Sequence, residues 1–122
     1  MSAILSSYCD AVAFRPERFN PVLVAAGAHM KVVLTCLEPG QFIPVHRPAV
    51  DMALIVLEGE GQVVAGDNRE AVRAGSVIFV PAGDARGVKA ETRLIALHVV
   101  GPPPTDKDHI EVTAMLKQGR WQ

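Results

Sequence analysis

The chain has few cysteines and no long apolar run. Its two cysteines among 122 residues, Cys9 and Cys36, lie far apart and form no CxxC spacing. This arrangement argues against a zinc knuckle and against a disulfide framework. The longest unbroken apolar run, Met52 to Leu57, is far shorter than the roughly 18 residues that a membrane span needs. We therefore expect a protein that neither crosses a membrane nor depends on disulfide bonds.

The chain also has no excess of charge of either sign. Charged residues make up 20% of the chain, the formal net charge is -1, and the lysines and arginines are scattered. This composition supports neither disorder nor a nucleic-acid partner. The first residues, MSAILSSYCDAV, carry no basic residue before their apolar part, so we expect no signal peptide and a cytoplasmic location.

The common catalytic motifs are missing as well. The sequence has no GxSxG elbow, no GxxxxGK loop and no HExxH pair. Neither cysteine has a histidine near it in sequence, which argues against a local nucleophile and base pair. Any chemistry must therefore come from residues that the fold brings together.

Between Lys31 and Val100, short apolar runs alternate with turn residues. The runs are KVVLTCL, QFIPVH, ALIVLE, QVVA, EAVR, VIFVP, GVKA and RLIALHVV. None has a helical period, so the pattern predicts an all-β protein with short strands, which suits a jelly-roll β-barrel. The Gly66-Asp67-Asn68 cluster predicts a tight hairpin, because these residues tolerate the backbone angles of short turns.

We interpret residues 1–122 as one domain in three parts. Residues 1–30 form an N-terminal arm and edge strand, 31–100 the barrel, and 101–122 a tail with a short helix. Prolines in the arm favour an extended segment that packs across a sheet edge, in its own subunit or in a partner.

The tail helix is expected to present one apolar face. Asp106 or Asp108 would cap it, and Gly119 would end it. The apolar face consists of Val112, Met115 and Leu116. We favour docking of this face on its own barrel, with Trp121 covering the joint, over docking on a partner.

Two predicted strands, ALIVLE and RLIALHVV, are apolar on both faces. The barrel interior can cover only one face, so a second layer or a partner subunit must cover the other. Our hypothesis is therefore that the protein forms a homodimer.

Two stretches of the chain share a pattern of glycine and proline. The first extends from Gly40 through His46 to Gly59 and ends in LEGEG, and the second extends from Gly75 through Pro81 to Gly83. Together they resemble the two signature motifs of the cupin superfamily, a family of small β-barrels, and the resemblance spans residues 40–90. In that family the motifs supply three histidines and a glutamate that hold Mn, Fe, Ni or Zn.

The resemblance implies that most of this ligand set is replaced. His46 keeps the first ligand position, whereas Pro48, Met52 and Arg86 stand at the other three. One imidazole does not hold a divalent ion, because catalytic zinc sites usually use three protein ligands. Our first hypothesis is therefore that the protein has no cofactor.

The replacements suggest a cavity with an apolar wall and few polar groups. We expect Met52, Leu54 and Phe79, with Val45 or Phe42, to line it beside His46 and Arg86, although these side chains could also fill the barrel. Arg86 would then form an ion pair with Asp51, Asp84 or Glu91, or it would bind a carboxylate or phosphate on a ligand. The alternative is that its side chain turns to solvent.

Two functions remain open at this point. We favour a cupin-fold protein that binds a small polar or anionic molecule through His46, Arg86, Met52, His98 and Phe79. The alternative is a metal-dependent cupin enzyme, a dioxygenase or isomerase, that rebuilt a site for Zn, Ni, Fe or Mn. Its ligands would be His46 and His98, with His29 or Asp51 as further candidates, although a core role with a backbone partner is favoured for His98.

Overall fold

The computed structural model describes residues 3–102 and 106–122, with the backbone alone for 106–108. In this part of the chain nine strands form two antiparallel sheets, preceded by a short 3-10 helix (Tyr8–Asp10) and followed by one α-helix. The strands are β1 (Asn20–Ala26), β2 (Lys31–Leu37), β3 (Phe42–His46), β4 (Asp51–Glu58), β5 (Glu60–Ala65), β6 (Asn68–Arg73), β7 (Val77–Val80), β8 (Arg86–Ala90) and β9 (Leu94–Gly101), and the helix is α1 (Asp106–Lys117).

The two sheets have the crossed strand order of a jelly roll. The five-stranded sheet has the order β1-β2-β9-β4-β7, and the four-stranded sheet has the order β3-β8-β5-β6. All eight predicted strands between Lys31 and Val100 are present. Ala65 pairs with Asn68 across the predicted hairpin, where Gly66 has a φ of 62°. The predicted jelly-roll fold with a short C-terminal helix is confirmed.

The main core lies between the two sheets. Alternate residues of β4 point into it, so Met52, Leu54 and Val56 are buried whereas their neighbours are exposed or half-buried. They meet buried side chains of the four-stranded sheet, among them Val63 and Val88. This alternation fixes which side chains can reach a cavity inside the sandwich.

The outer face of the five-stranded sheet is covered in part by the N-terminal arm of the same chain. Leu34, Cys36 and Ile95 form a second buried cluster under arm residues that include Tyr8 and Phe14. Farther along the same sheet, Val77 and Phe79 remain 73% and 65% exposed. The arm therefore accounts for one part of the second apolar face and leaves the β7 edge uncovered.

The C-terminal helix docks on its own domain. Val112 and Leu116 pack against the main core, as the predicted apolar face requires, and Gly119 ends the helix with a φ of 67°. Trp121 then packs against the outer face of the four-stranded sheet, where its carbonyl accepts a 2.6 Å hydrogen bond from the Val45 amide. The predicted caps Asp106 and Asp108 lie outside the described side chains.

No helix in residues 3–102 and 106–122 is long and apolar enough to cross a membrane.

Candidate functional site

A cavity of about 440 Å³ lies between the two sheets and α1. Residues of β1, β2, β3, β4, β8, β9 and α1 line it, together with short segments that flank these strands. The larger part of its lining is apolar, with Val33, Ile43, Met52, Val88 and Val100 among the side chains. This size and composition are typical of small-molecule sites.

The polar part of the cavity is basic. Arg18, Lys31 and Arg86 line it, as do the histidines His46, His98 and His109 with Thr35 and Thr113. None of the described residues that line the cavity is acidic. The lining therefore favours an anion over a cation.

His46 stands at the end of β3 with one ring nitrogen held by the backbone. Its Nδ1 lies 2.7 Å from the carbonyl oxygen of Pro44. Because a carbonyl only accepts hydrogen bonds, Nδ1 carries the proton that it donates. In the neutral ring, Nε2 then has a lone pair with which it can accept a hydrogen bond.

His98 is a polar group in an otherwise apolar part of β9. It pairs with Val33 on one side and Leu54 on the other, and its Nδ1 lies 2.9 Å from the Thr35 hydroxyl. Burial lowers the pKa of His98 from 6.5 to about 4, and the positive charges of His46 and Arg86 act in the same direction. The ring is therefore neutral at pH 7, and its partner is a side chain where we expected a backbone group.

Arg86 begins β8, where it pairs with His46 across the sheet, and it is only 3% exposed. The alternative in which it turns to solvent is therefore wrong. Its Nη2 donates to the Pro81 carbonyl at 3.0 Å, and its Nε and Nη2 both lie 3.4 Å from the Asp84 carbonyl. These contacts hold the guanidinium against the 81–84 turn, inside the cavity lining.

The acidic residues that were candidate ion-pair partners of Arg86 make other contacts. Asp51 is exposed and accepts a 2.9 Å hydrogen bond from the Ala82 amide. Glu91 accepts one from Gln62 at 3.3 Å, and Asp84 offers Arg86 its carbonyl oxygen. Asp51 therefore braces the same turn from outside, as expected for a residue shifted by one position from Met52.

The prediction that Phe79 lines the cavity is wrong. Phe79 pairs with Ala53, which points outward, so its side chain lies on the outer face and is 65% exposed. Leu54 is fully buried in the core, and Phe42 and Val45 pack with Trp121 on the opposite outer face. Of the predicted apolar wall, Met52 and Pro48 line the cavity.

The remaining candidate, His29, lies in the turn between β1 and β2 and is exposed. It lines a separate surface groove with Asp51 and Phe79, and it does not line the cavity.

Sequence reasoning missed five polar residues that line the cavity: Arg18, Lys31, Thr35, His109 and Thr113. Lys31 and Thr35 could have been found, because they alternate with Val33 along one face of β2. Arg18 and His109 stand outside the strands, and tertiary packing alone brings them to the cavity.

The donor set does not fit the metal site that the resemblance implies. In the described part of the chain, no group of three or more His, Cys, Asp or Glu side chains is placed to hold a metal ion. His46 and His98 line the same cavity, but two imidazoles fall short of the usual three protein ligands. The Arg86 charge, which lowers the pKa of His98, would also oppose a bound cation.

Comparison with known proteins places the chain among others of the same architecture. A family model described as the cupin domain matches residues 33–100. An RmlC-like cupin protein from Desulfovibrio desulfuricans is 32% identical, with 83% of this chain and 99% of that chain covered and a TM-score of 0.74. The protein TT1209 from Thermus thermophilus is 29% identical, with 80% and 96% covered and a TM-score of 0.76.

KdgF from Halomonas sp. shares the fold at 16% identity, with 79% of this chain and 89% of that chain covered and a TM-score of 0.69. No curated protein matches the chain.

Proposed function

This chain belongs to the cupin superfamily, and on that premise we propose that it binds a small polar or anionic molecule between its sheets. Binding would not use the family's metal site of three histidines and one glutamate, since Pro48, Met52 and Arg86 stand at three of those positions. A cytoplasmic location and the absence of a resident cofactor stay predictions.

The observation that carries this proposal is the lining of the cavity, which is apolar over most of its area and basic in its polar part. Three cationic side chains, Arg18, Lys31 and Arg86, line one space of about 440 Å³. Each of them favours a negatively charged ligand, and the apolar residues around them exclude competing water. A carboxylate matches this lining better than a sugar does, because a guanidinium binds carboxylates through two parallel hydrogen bonds.

Arg86 is the residue that we expect to orient the anion. Two backbone carbonyls of the 81–84 turn fix its guanidinium, so little side-chain entropy is lost when a ligand binds. His46 lies beside it in the paired strand and can accept a proton or a hydrogen bond through Nε2.

Thermal-shift measurements with small carboxylates, phosphates and sugars test this function. A ligand that binds only the folded state must raise the unfolding temperature. We expect carboxylates to do so for the wild type, less for Arg86→Lys, which keeps the charge without the planar fork, and least for Arg86→Met. Arg47→Met is the matched control, since Arg47 is exposed. Equal shifts in all four proteins would contradict the role of Arg86.

A second candidate is a metal-dependent enzyme with a site rebuilt from His46 and His98. Both histidines line the same cavity, and the Nδ1 contact of His46 with the Pro44 carbonyl orients its ring. Elemental analysis of untagged protein and of a His46→Ala variant separates the two candidates. Near-stoichiometric metal in the wild type that is lost in the variant would overturn the preferred function.

We further propose that the protein forms a homodimer through the β7 edge. Val77 and Phe79 are exposed there beside Ile55 and Ala53 on the outer face of β4. A second copy that packs on this face would remove apolar surface from water without a change in fold.

A further inference from the structure

We infer, on the basis of the proposed function, that the ligand carries two anionic groups joined by an apolar segment, and that Arg18 binds the second group. Its chemical class is an elongated dicarboxylate. The cations lie at two ends of the cavity, the Arg18 side chain is packed in place at one of them, and apolar residues separate the two ends.

The strand register places the cations at two ends of the cavity. Four residues form one row across neighbouring strands of the five-stranded sheet. In order, they are Lys31 on β2, Val100 on β9, Met52 on β4 and Val80 at the end of β7. The next residue, Pro81, accepts a hydrogen bond from Arg86. Lys31 and the Arg86 guanidinium are therefore at the same end of the five-stranded sheet.

Arg18 enters from the other end. It precedes Asn20, which pairs with Cys36, whereas Lys31 at the far end of β2 pairs with Ala26. The stretch from Lys31 to Cys36 corresponds to roughly 16 Å at the usual rise of a strand. The backbone of Arg18 is thus separated from that of Lys31 by about the length of β2, although both side chains line one cavity.

The Arg18 side chain is held in place at the wall of the cavity. Its Cζ lies 4.8 Å from the ring centroid of Phe19, a buried core residue. Its Nε is buried and has no hydrogen-bond partner among the described residues. Because that atom has almost no accessible surface, an anionic ligand would meet the guanidinium at the part of the half-buried side chain that lines the cavity.

The surface between the two ends is largely apolar, apart from the hydrogen-bonded pair of Thr35 and His98. Val33 stands between Lys31 and Thr35 on the inward face of β2, and Met52 and Val88 line the cavity from β4 and β8. A ligand with a methylene segment would bury that segment here while its two charged groups meet the two cationic ends. A compact anion such as inorganic phosphate would leave one end without a partner.

The experiment compares dicarboxylates with monocarboxylates of equal chain length by calorimetric titration of the whole chain. The pairs are succinate with butyrate, adipate with hexanoate, and suberate with octanoate. We expect at least one dicarboxylate to bind roughly tenfold or more tightly than its partner, because a charge-assisted hydrogen bond is added at Arg18. Arg18→Gln should reduce this preference to near one, because it weakens the binding of the dicarboxylate far more than the binding of the monocarboxylate.

Two further variants exclude a structural effect of the substitution. Arg15→Gln removes an exposed arginine from the same segment and should keep the wild-type preference. Arg18→Lys keeps the positive charge and should keep part of the preference for the dicarboxylate.

The outcomes separate this inference from the proposed function. If monocarboxylates bind and no dicarboxylate is preferred, the second anionic group is refuted and the proposed function stands. If Arg18→Gln weakens both members of a pair equally, the assignment of Arg18 to the second group is refuted. If no carboxylate binds at all, this inference is refuted, and the proposed function is refuted as well if no phosphate or sugar raises the unfolding temperature.

Discussion

His98 is expected to make the free energy of unfolding decrease as the pH falls below neutral. Burial and the nearby positive charges of His46 and Arg86 lower the pKa of this imidazole from 6.5 to about 4. As the pH falls through 6.5, the unfolded chain takes up a proton on His98, whereas the folded chain does not until the pH reaches about 4. The folded state therefore loses stability relative to the unfolded state across this window and loses none above it.

The size of this effect follows from the pKa difference. One pKa unit corresponds to about 1.4 kcal/mol, so the change from 6.5 to about 4 gives a loss of about 3 to 4 kcal/mol below pH 4. At pH 5 the loss is about 2 kcal/mol, because the folded state still excludes the proton there.

Urea unfolding at pH 7 and pH 5 measures the effect. Other groups also titrate in this range, so the relevant quantity is the difference between the wild type and His98→Gln, in which glutamine can still hydrogen-bond Thr35. We expect the variant to lose about 2 kcal/mol less than the wild type between the two pH values. His29→Gln is the matched control for loss of one imidazole, at an exposed position. An identical pH dependence in the wild type and His98→Gln would refute the reasoning.

Two further predictions concern the fold and the assembly. A Cβ at Gly59 (φ 90°) would lie 1.9 Å from the Arg93 carbonyl oxygen, whereas one at Gly40 (φ 84°) would meet no atom within 4 Å. Urea unfolding should therefore show a loss of about 3 kcal/mol or more for Gly59→Ala and only about 1 to 2 kcal/mol for Gly40→Ala, and equal losses would contradict this. Light scattering should report a wild-type dimer and a Phe79→Glu monomer, while a monomeric wild type would exclude the proposed interface.

The fold was predictable because its turns depend on backbone geometry. Four glycines of the two recognised motifs, Gly40, Gly59, Gly75 and Gly83, all have φ between 84° and 94°. Residues with a Cβ rarely adopt such angles. The motif glycines thus serve the turns of the jelly roll, and this requirement remains when the metal-ligand positions carry other residues. For that reason the sequence is informative about the fold even where it says little about chemistry.

The site was predictable only in part. His46, Met52, His98 and Arg86 all line the cavity. The motif positions fix which way His46, Met52 and Arg86 point, whereas His98 lies on β9, outside the motifs. The error at Phe79 has a physical cause: VIFV is apolar at every position, so its pattern cannot show which face is buried. The pairing of Phe79 with the outward-facing Ala53 decides the question, and pairing is a property of the folded sheet.

Cavity residues outside both the motifs and the strands could not be found from local pattern. Arg18 precedes the edge strand and His109 lies on α1, yet both line the cavity. Their positions depend on how the arm and the helix pack on the sheets. The basic character of the cavity, on which the proposed function depends, is therefore a result of tertiary structure.

The most direct test of the central claim is the affinity for a carboxylate, measured with and without a metal chelator. The ligand is the tightest-binding carboxylate of the series above, and the proteins are the untagged wild type and Arg86→Met. We predict the same affinity with and without chelator, and a loss of roughly tenfold or more in Arg86→Met, because the anion loses its charge-assisted contacts. Binding that the chelator abolishes, or binding that Arg86→Met leaves unchanged, would contradict the account.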